Sequence, residues 1–188
     1  MFDFDEIQEE FFRVFMDHNP FMKMMQKHFA SSFKDHSYDI YAPIAGKCMD
    51  ISCCKDIAFS QKSFGDGFMI EPIDNVIYAP CYGKITSIFP TKHAYGIEMI
   101  NGKEIMLHIG LETVKMKKGF FRTDAKVGDY IKPGKRIADF DMNEAIDNGI
   151  DMSTIVVLID SKNLSLKHLN KTVSKDDVIT SVNSDENH

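Results

Sequence analysis

Residues 93–110 read HAYGIEMINGKEIMLHIG, and this stretch indicates most directly which class of fold the chain adopts. Apolar residues alternate with other residues on both sides of Asn101-Gly102. Asn-Gly favours a two-residue turn between antiparallel strands, because both central positions of a type I′ turn take a positive φ. Such a turn pairs Ile100 with Lys103 and sets the register of the flanking strands. The stretch therefore predicts a β-hairpin.

The predicted register brings two of the seven histidines of the chain close together. It places Tyr95 opposite His108 and His93 opposite Gly110, and cross-strand partners project from the same face of a sheet. His93 and His108 are then diagonal neighbours, with Cβ atoms about 7–8 Å apart. Two imidazole rings can span that separation, so the pair is a candidate functional site.

The residues alone leave three interpretations of this pair open. The histidines could be ordinary residues of a sheet. They could bind zinc, which usually takes three or four protein ligands. Asp56, Asp66 or Glu112 would then be a third ligand, as in a zinc peptidase built on a β-sandwich. Finally, one imidazole could accept a group covalently while the other stabilises it.

The third interpretation points to phosphoryl transfer, because a phosphohistidine forms and breaks readily near neutral pH. The chain lacks a glycine-rich P-loop, and Gly65-Asp66-Gly67 is interpreted as a turn. A phosphoryl donor would therefore be another phosphoprotein rather than ATP held in such a loop.

The composition is that of an ordinary globular protein, and it argues against several classes of function. Of the 188 residues, 44% are apolar and 27% are charged, and the formal net charge is −6. That charge argues against a general nucleic-acid binder, which carries a basic surface. No stretch reaches the roughly 18 apolar residues of a transmembrane segment. Without a secretory signal or a Cys-x-x-Cys spacing, we expect reduced thiols in a cytoplasmic protein at Cys48, Cys53, Cys54 and Cys81.

Residues 1–36 differ in pattern from the rest of the chain and predict a helical extension. Phe4 and Phe11 lie two helical turns apart among acidic residues, and Asn19-Pro20 is a typical start of a second helix. The extension is expected to pack on its own domain or to dock a partner or a membrane surface.

From about residue 38, short runs of Ile, Val, Tyr and Phe alternate with Gly, Pro and Asp-Gly. This pattern is typical of an all-β antiparallel sandwich or barrel with short helices. IYAPIAGK at 40–47 is echoed by IYAPCYGK at 77–84, which predicts two similar β-halves. The segment 127–141 predicts two short strands joined by a Pro-Gly turn. We expect the domain at 37–183 and a disordered tail at 184–188.

Three further elements are predicted in the last third of the chain. Asp141 begins a capping box for a short helix that runs to about Asn148. Residues 153–160, STIVVLID, predict a buried strand. Val178-Ile179 predicts the last strand.

The motifs between about Tyr38 and Thr180 resemble the glucose-specific enzyme IIA family of the sugar phosphotransferase system. In family order they are IYAPIAGK, DIAFSQKSFGDGF, VIYAPCYGKI, IFPTKHAYGIE, EIMLHIGLETV and KVGDYIKPGKRIADFD. The resemblance implies an antiparallel β-sandwich of the duplicated hybrid motif type with a shallow active-site depression. It also implies a phosphotransferase component that requires no cofactor.

The resemblance assigns roles to three residues of the candidate site. His108 matches the phosphoacceptor, which takes the phosphoryl group on Nε2. His93 matches the second active-site histidine, and Thr91 matches the hydroxyl that orients it. The hairpin argument reaches the same two histidines from the residues alone.

The resemblance further implies a partner-binding surface made of an apolar collar and two carboxylates. Its residues here are Ile57, Phe59, Phe64, Phe89, Met106, Asp56 and Glu112. The family usually has an aspartate at the position of Glu112 and an aromatic residue at that of Met106. The helical extension has no family counterpart.

The function implied by the resemblance is that of a phosphocarrier in sugar uptake. Phosphorylated HPr would transfer its phosphoryl group to His108, which would pass it to a cysteine of the sugar-specific enzyme IIB of a membrane permease (enzyme IIB/IIC). The alternative is a regulatory module that binds other proteins according to its phosphorylation state. Zinc binding at His93 and His108 is a further expectation. The sugar cannot be predicted, because specificity belongs to the membrane subunit.

Overall fold

The computed structural model describes residues 38–182, which lie in the unit that runs from Tyr38 to the end of the chain. The predicted helical extension at 1–36 and the predicted tail at 184–188 lie outside the described residues. Within the described part, no helix is long and apolar enough to cross a membrane.

Short strands dominate the described part, which confirms the all-β prediction. The thirteen strands there are β1 (Asp39–Tyr41), β2 (Gly46–Asp50), β3 (Gly65–Pro72), β4 (Val76–Tyr78), β5 (Gly83–Ile88), β6 (Ala94–Met99), β7 (Glu104–Ile109), β8 (Phe121–Arg122), β9 (Tyr130–Ile131), β10 (Arg136–Phe140), β11 (Thr154–Ile159), β12 (Thr172–Val173) and β13 (Val178–Ser181). The helices are α1 (Ile57–Ser60) and α2 (Met142–Asp147), with 3-10 helices at Ile51–Cys53 and Thr113–Lys115.

These strands form one large sheet and two small ones. The large sheet has the order β12-β2-β3-β11-β7-β6-β5-β9, and the small sheets have the orders β4-β10-β8 and β1-β13. Neighbouring strands pair antiparallel throughout. β7, which carries His108, therefore lies at the centre of the large sheet.

The repeated IYAP motif corresponds to two equivalent halves of the fold. The N–H of Tyr41 donates to the carbonyl of Pro80, and the N–H of Tyr78 donates to the carbonyl of Pro43, each at 2.7 Å. The two copies therefore exchange equivalent backbone hydrogen bonds, as expected for two similar β-halves.

The elements predicted in the last third of the chain are present. The Asp141 carboxylate accepts the N–H of Glu144 at 3.0 Å and caps α2, which ends just before Asn148. The predicted buried strand is β11, whose residues are almost all buried. The predicted last strand is β13.

The hairpin also forms, but its turn differs from the prediction. The N–H of Gly102 donates to the carbonyl of Met99 at 2.9 Å, and the N–H of Met99 donates to the carbonyl of Lys103 at 2.7 Å. Gly102 has a φ of 82°, whereas Asn101 is not left-handed. The loop therefore has three residues, with a type I turn followed by a left-handed glycine. The Asn101 side chain accepts the N–H of Lys103 at 3.0 Å.

The predicted register is consequently wrong by one residue. Ala94, not Tyr95, lies opposite His108. His93 then faces Ile109, whose N–H donates to the His93 carbonyl at 2.7 Å. Strict alternation would project His93 and His108 from opposite faces, so the register alone does not bring the two rings together.

The large sheet is covered by apolar residues on both faces. Ile105, Leu107 and Ile109 of β7 face the main core. The other face carries a smaller cluster, comprising Ile51, Cys54, Phe59, Met69, Ile155 and Val157, with Met106 packed against it. By alternation along β7, His108 projects on the side of Met106.

Candidate active site

His93 and His108 are in contact, as the sequence predicts, although for a different reason. Their ring centroids lie 5.0 Å apart, and the ring planes make an angle of 83°. His93 precedes β6 and follows Lys92, whose φ is 65°. Alternation does not govern a residue outside the strand. The left-handed Lys92 turns the chain there, and the His93 ring lies against His108.

Thr91 holds the ring of His93 in place. Its hydroxyl oxygen lies 2.5 Å from Nδ1 of His93, within hydrogen-bonding distance. The ring is almost fully buried, with 5% of the residue exposed, and it makes an edge-to-face contact with Phe89 at a centroid distance of 5.5 Å. These contacts leave the ring of His93 little rotational freedom.

The two ring nitrogens of His108 have different surroundings. Nδ1 is buried and has no hydrogen-bond partner of ordinary geometry among the described residues. Nε2 is not among the buried nitrogens without a partner in the described part of the chain, and the residue as a whole is only partly buried. The geometry therefore favours Nε2 for a reaction with an external group.

Both imidazoles are neutral near pH 7. Burial, together with the weaker effect of the neighbouring His93, lowers the pKa of His108 to about 4. The Asp56 carboxylate and the Gly110 backbone act more weakly and raise the same pKa. Burial also lowers the pKa of His93. A neutral His108 keeps the lone pair that a nucleophile requires.

A continuous row of five rings crosses the site, and we call it the ring row. It runs Phe64, Phe59, His108, His93 and Phe89, with successive centroid distances of 5.9, 5.2, 5.0 and 5.5 Å. The two histidines occupy the middle of the row and the phenylalanines its ends. Aromatic neighbours of this kind exclude water and lower the local dielectric.

The predicted apolar collar divides into exposed and buried residues. Ile57, Phe64 and Phe89 are exposed by 69, 46 and 47%. Phe59 is buried in the smaller cluster, and Met106 is half-buried against it. The exposed three can contact another protein directly, whereas Phe59 and Met106 support the surface from below.

The two predicted carboxylates differ in their relation to the histidines. Asp56 caps α1 by accepting the N–H of Ala58 at 2.8 Å, and its charge acts on His108. Glu112 is exposed, has a φ of 55° and pairs with Lys115 at 3.2 Å. The structure thus brings Asp56 close to the pair, while the described contacts of Glu112 lie elsewhere.

The histidine pair supplies two nitrogen ligands of the kind that zinc accepts. Among residues 38–182, no group of three or more His, Cys, Asp or Glu side chains is arranged to hold a metal ion. The four cysteines are all free, and Asp66 is paired with Lys62 instead. A zinc ion at His93 and His108 would need water or another protein to complete its coordination.

Gly110 and Thr113, which follow His108 in the chain, were not recognised in the sequence as part of the site. The hydroxyl of Thr113 donates to the carbonyl of Ile109 at 2.7 Å. Gly110 has a φ of 72°, and a Cβ there would lie 2.5 Å from Cγ2 of Thr113. Gly110 and Thr113 together fix the chain that leaves His108. The glycine directly after the strand was the only local signal.

Comparisons with known proteins show what the chain is similar to. A family model described as phosphoenolpyruvate-dependent sugar phosphotransferase system, EIIA 1, matches residues 38–164. The chain is 42% identical over 127 residues to the PTS system glucose-specific EIIA component of Halalkalibacterium halodurans, which covers 68% of this chain and 73% of that protein.

A second relative and a solved structure extend the comparison. Identity to the PTS system beta-glucoside-specific EIIBCA component of Bacillus subtilis is 37% over 140 residues, covering 73% of this chain but 23% of that protein. The solved structure of glucose permease IIA from Mycoplasma capricolum superposes with a TM-score of 0.68 at 32% identity, covering 76% of this chain and 93% of that one.

Proposed function

Because the chain belongs to the EIIA 1 family of the phosphoenolpyruvate-dependent sugar phosphotransferase system, we propose that His108 accepts a phosphoryl group from phosphorylated HPr and passes it to a cysteine of a sugar-specific enzyme IIB. Membership of this family makes the protein a phosphocarrier component in sugar uptake. The observation that carries the residue-level proposal is the contact of a neutral His108 with His93.

The first step is an in-line transfer between two histidines. The Nε2 lone pair of His108 attacks the phosphorus of the donor phosphohistidine, and the donor N–P bond breaks with its electron pair returning to the donor imidazole. His108 then carries the phosphoryl group on Nε2 and a proton on Nδ1. In the second step an enzyme IIB thiolate attacks phosphorus, and the P–Nε2 bond breaks to restore His108.

His93 stabilises the transferred group in this proposal. When the Thr91 hydroxyl donates to Nδ1 of His93 (2.5 Å), the neutral ring carries its proton on Nε2. That N–H can donate to a phosphoryl oxygen on His108. A donor oriented before the reaction stabilises developing charge without reorganisation, and the buried setting strengthens the interaction.

The surroundings of the pair suit a transient protein partner. Exposed apolar side chains at Ile57, Phe64 and Phe89 offer contact area. Asp56 is exposed and has no ion pair among the described residues, so it suits a partner with basic residues. HPr and enzyme IIB would dock on this face in turn, in the cytoplasm. The relative named as an EIIBCA component supports the partnership with IIB and IIC.

The regulatory module is the competing proposal. Such a module needs a surface that changes with phosphorylation but does not itself need a second histidine. His93 is packed between His108 and Phe89 and bonded to Thr91. This arrangement favours an active relay.

Incubation with phosphoenolpyruvate, enzyme I and HPr tests the proposal. The wild-type protein should gain the mass of one phosphoryl group, in a linkage that is labile to acid and stable to base. His108→Ala should gain none while keeping its fold. His168→Asn is the matched control, because His168 is exposed and outside the site. Full labelling of His108→Ala would refute the assignment of the phosphoacceptor.

A further inference from the structure

A buried carboxylate near one end of the ring row has no role in the chemistry described above. Asp66, the second residue of β3, has a side chain that is 3% exposed. Its oxygens accept Lys62 Nζ at 2.7 Å, the N–H of Gly67 at 2.8 Å and the N–H of Leu164 at 2.9 Å. A buried charge of this kind is tolerated only when it is paired and hydrogen-bonded in this way.

Lys62, the cation of this pair, lies in the loop between α1 and β3. Its φ is 57°, an uncommon conformation for a residue with a side chain. Its N–H donates to the Phe59 carbonyl at 2.9 Å, and its carbonyl accepts the N–H of Gly65 at 3.1 Å. Backbone strain of this kind persists only where surrounding contacts hold it, and the bond to Asp66 is such a contact.

The same loop carries one end of the ring row. Phe64 lies between Lys62 and Asp66 in the chain and is 46% exposed. Its ring meets Phe59 at 5.9 Å, and Phe59 meets His108 at 5.2 Å. The ion pair between Lys62 and Asp66 therefore closes the loop that presents Phe64.

We propose that the Lys62–Asp66 ion pair is a positioning device that holds Phe64 against Phe59 and so forms the docking surface for the phosphorylated donor protein. This inference rests on the proposed function. Neither Lys62 nor Asp66 has a described contact with His93 or His108, so the pair acts on docking and not on the transfer itself. Because the Lys62 side chain is 38% exposed, we expect the pair to add little net stability and to act mainly by fixing the geometry of the loop.

Lys62→Met tests the device, because it keeps the aliphatic stem and removes the charge. KM for phosphorylated HPr should rise about tenfold, while kcat at saturation stays within about twofold. Labelling by phosphoramidate, a small donor that needs no docking, should also stay within about twofold. Lys62→Arg should restore most of the affinity. Lys175→Met is the control, since it removes a lysine from an exposed pair with Asp176.

Nuclear Overhauser contacts between the Phe59 and Phe64 rings give a readout that does not need HPr. They should weaken in Lys62→Met and persist in Lys62→Arg and Lys175→Met. An unchanged KM in folded Lys62→Met would overturn the inference, and so would retained contacts between the two rings. An equal loss of labelling rate with phosphorylated HPr and with phosphoramidate would also overturn it. If the wild-type protein accepts no phosphoryl group from HPr, the proposed function fails, while the ring contacts still decide whether the pair holds Phe64.

Discussion

The hydroxyl oxygen of Thr91 lies 2.5 Å from Nδ1 of His93. This bond joins two residues of one short turn and occupies Nδ1 of His93, so in our proposal Nε2 of His93 faces the phosphoryl group. Because His93 also contacts His108, we expect the hydroxyl to act on the proposed phosphoacceptor through the intervening ring.

Removing His93 should slow transfer without preventing phosphorylation of His108. We expect His93→Ala to lose about 10²–10³ in the rate of transfer to enzyme IIB, the usual cost of losing one oriented donor. His93→Gln keeps an N–H near the same place and should be faster than His93→Ala in accepting the group. Rapid-quench measurement of each half-reaction distinguishes these rates. Wild-type rates in both directions for His93→Ala would show that the second histidine is a bystander.

Thr91→Val should impair transfer only through His93. The substitution removes the hydroxyl bonded to Nδ1 and keeps the shape of the side chain, so we expect a loss of about tenfold, or roughly 1.4 kcal/mol. In a double-mutant cycle the loss should disappear when His93 is already alanine, because the two residues act as one unit. Additive losses would mean that Thr91 acts independently of His93.

The stability of the protein should fall as the pH drops from about 6.5 to 4. The pKa of His108 is about 4 in the folded protein and about 6.5 in an unfolded chain. Between these values the unfolded chain binds a proton that the folded protein does not bind. The free energy of unfolding therefore decreases as the pH falls, by about 3 kcal/mol for a shift of this size.

Denaturant titrations at several pH values measure this effect. His108→Gln should show a smaller decrease than the wild type over the same range, because of the two site histidines only His93, whose pKa is also lowered, would then contribute. Labelling by phosphoramidate should persist at pH 5, since His108 is still neutral there. Equal pH dependence of the wild type and His108→Gln would contradict the prediction.

The unphosphorylated protein should bind zinc weakly through His93 and His108. Two adjacent imidazoles provide two ligands, and water or a partner carboxylate would complete the shell. Addition of zinc should shift the imidazole NMR signals of both residues and should leave those of His168 unchanged. His108→Ala should abolish the shifts. The absence of any zinc-dependent change in the wild type would exclude such a site.

Deletion of residues 1–36 should leave phosphoryl transfer intact. The family model matches residues 38–164, so the deleted segment lies outside the part of the chain that matches the family. A fall in melting temperature alone would indicate that the deleted segment packs on the domain. A loss of more than about tenfold in labelling rate, roughly 1.4 kcal/mol, would instead show that it helps to form the site.

Several elements could be predicted because their signals are local. The Asp141 cap of α2 involves residues three positions apart, and the alternation along β7 is a property of six consecutive residues. The two IYAP copies likewise indicate two similar halves of the β-domain, because the repeat is visible in the sequence itself. The type of turn at Asn101-Gly102 was harder to predict, because this dipeptide suits a type I′ turn and also a type I turn followed by a left-handed glycine. Only the second occurs here.

The sequence by itself determined that the domain is built of short antiparallel strands and that His93 and His108 flank one hairpin. The tertiary structure decided that their rings meet, since that depends on the left-handed Lys92 and not on strand alternation. It also decided that His108 is neutral, because burial by distant segments lowers its pKa. The bond from Leu164 to Asp66 joins residues 98 positions apart. Local patterns carry no information on such contacts, since each requires the whole chain to fold.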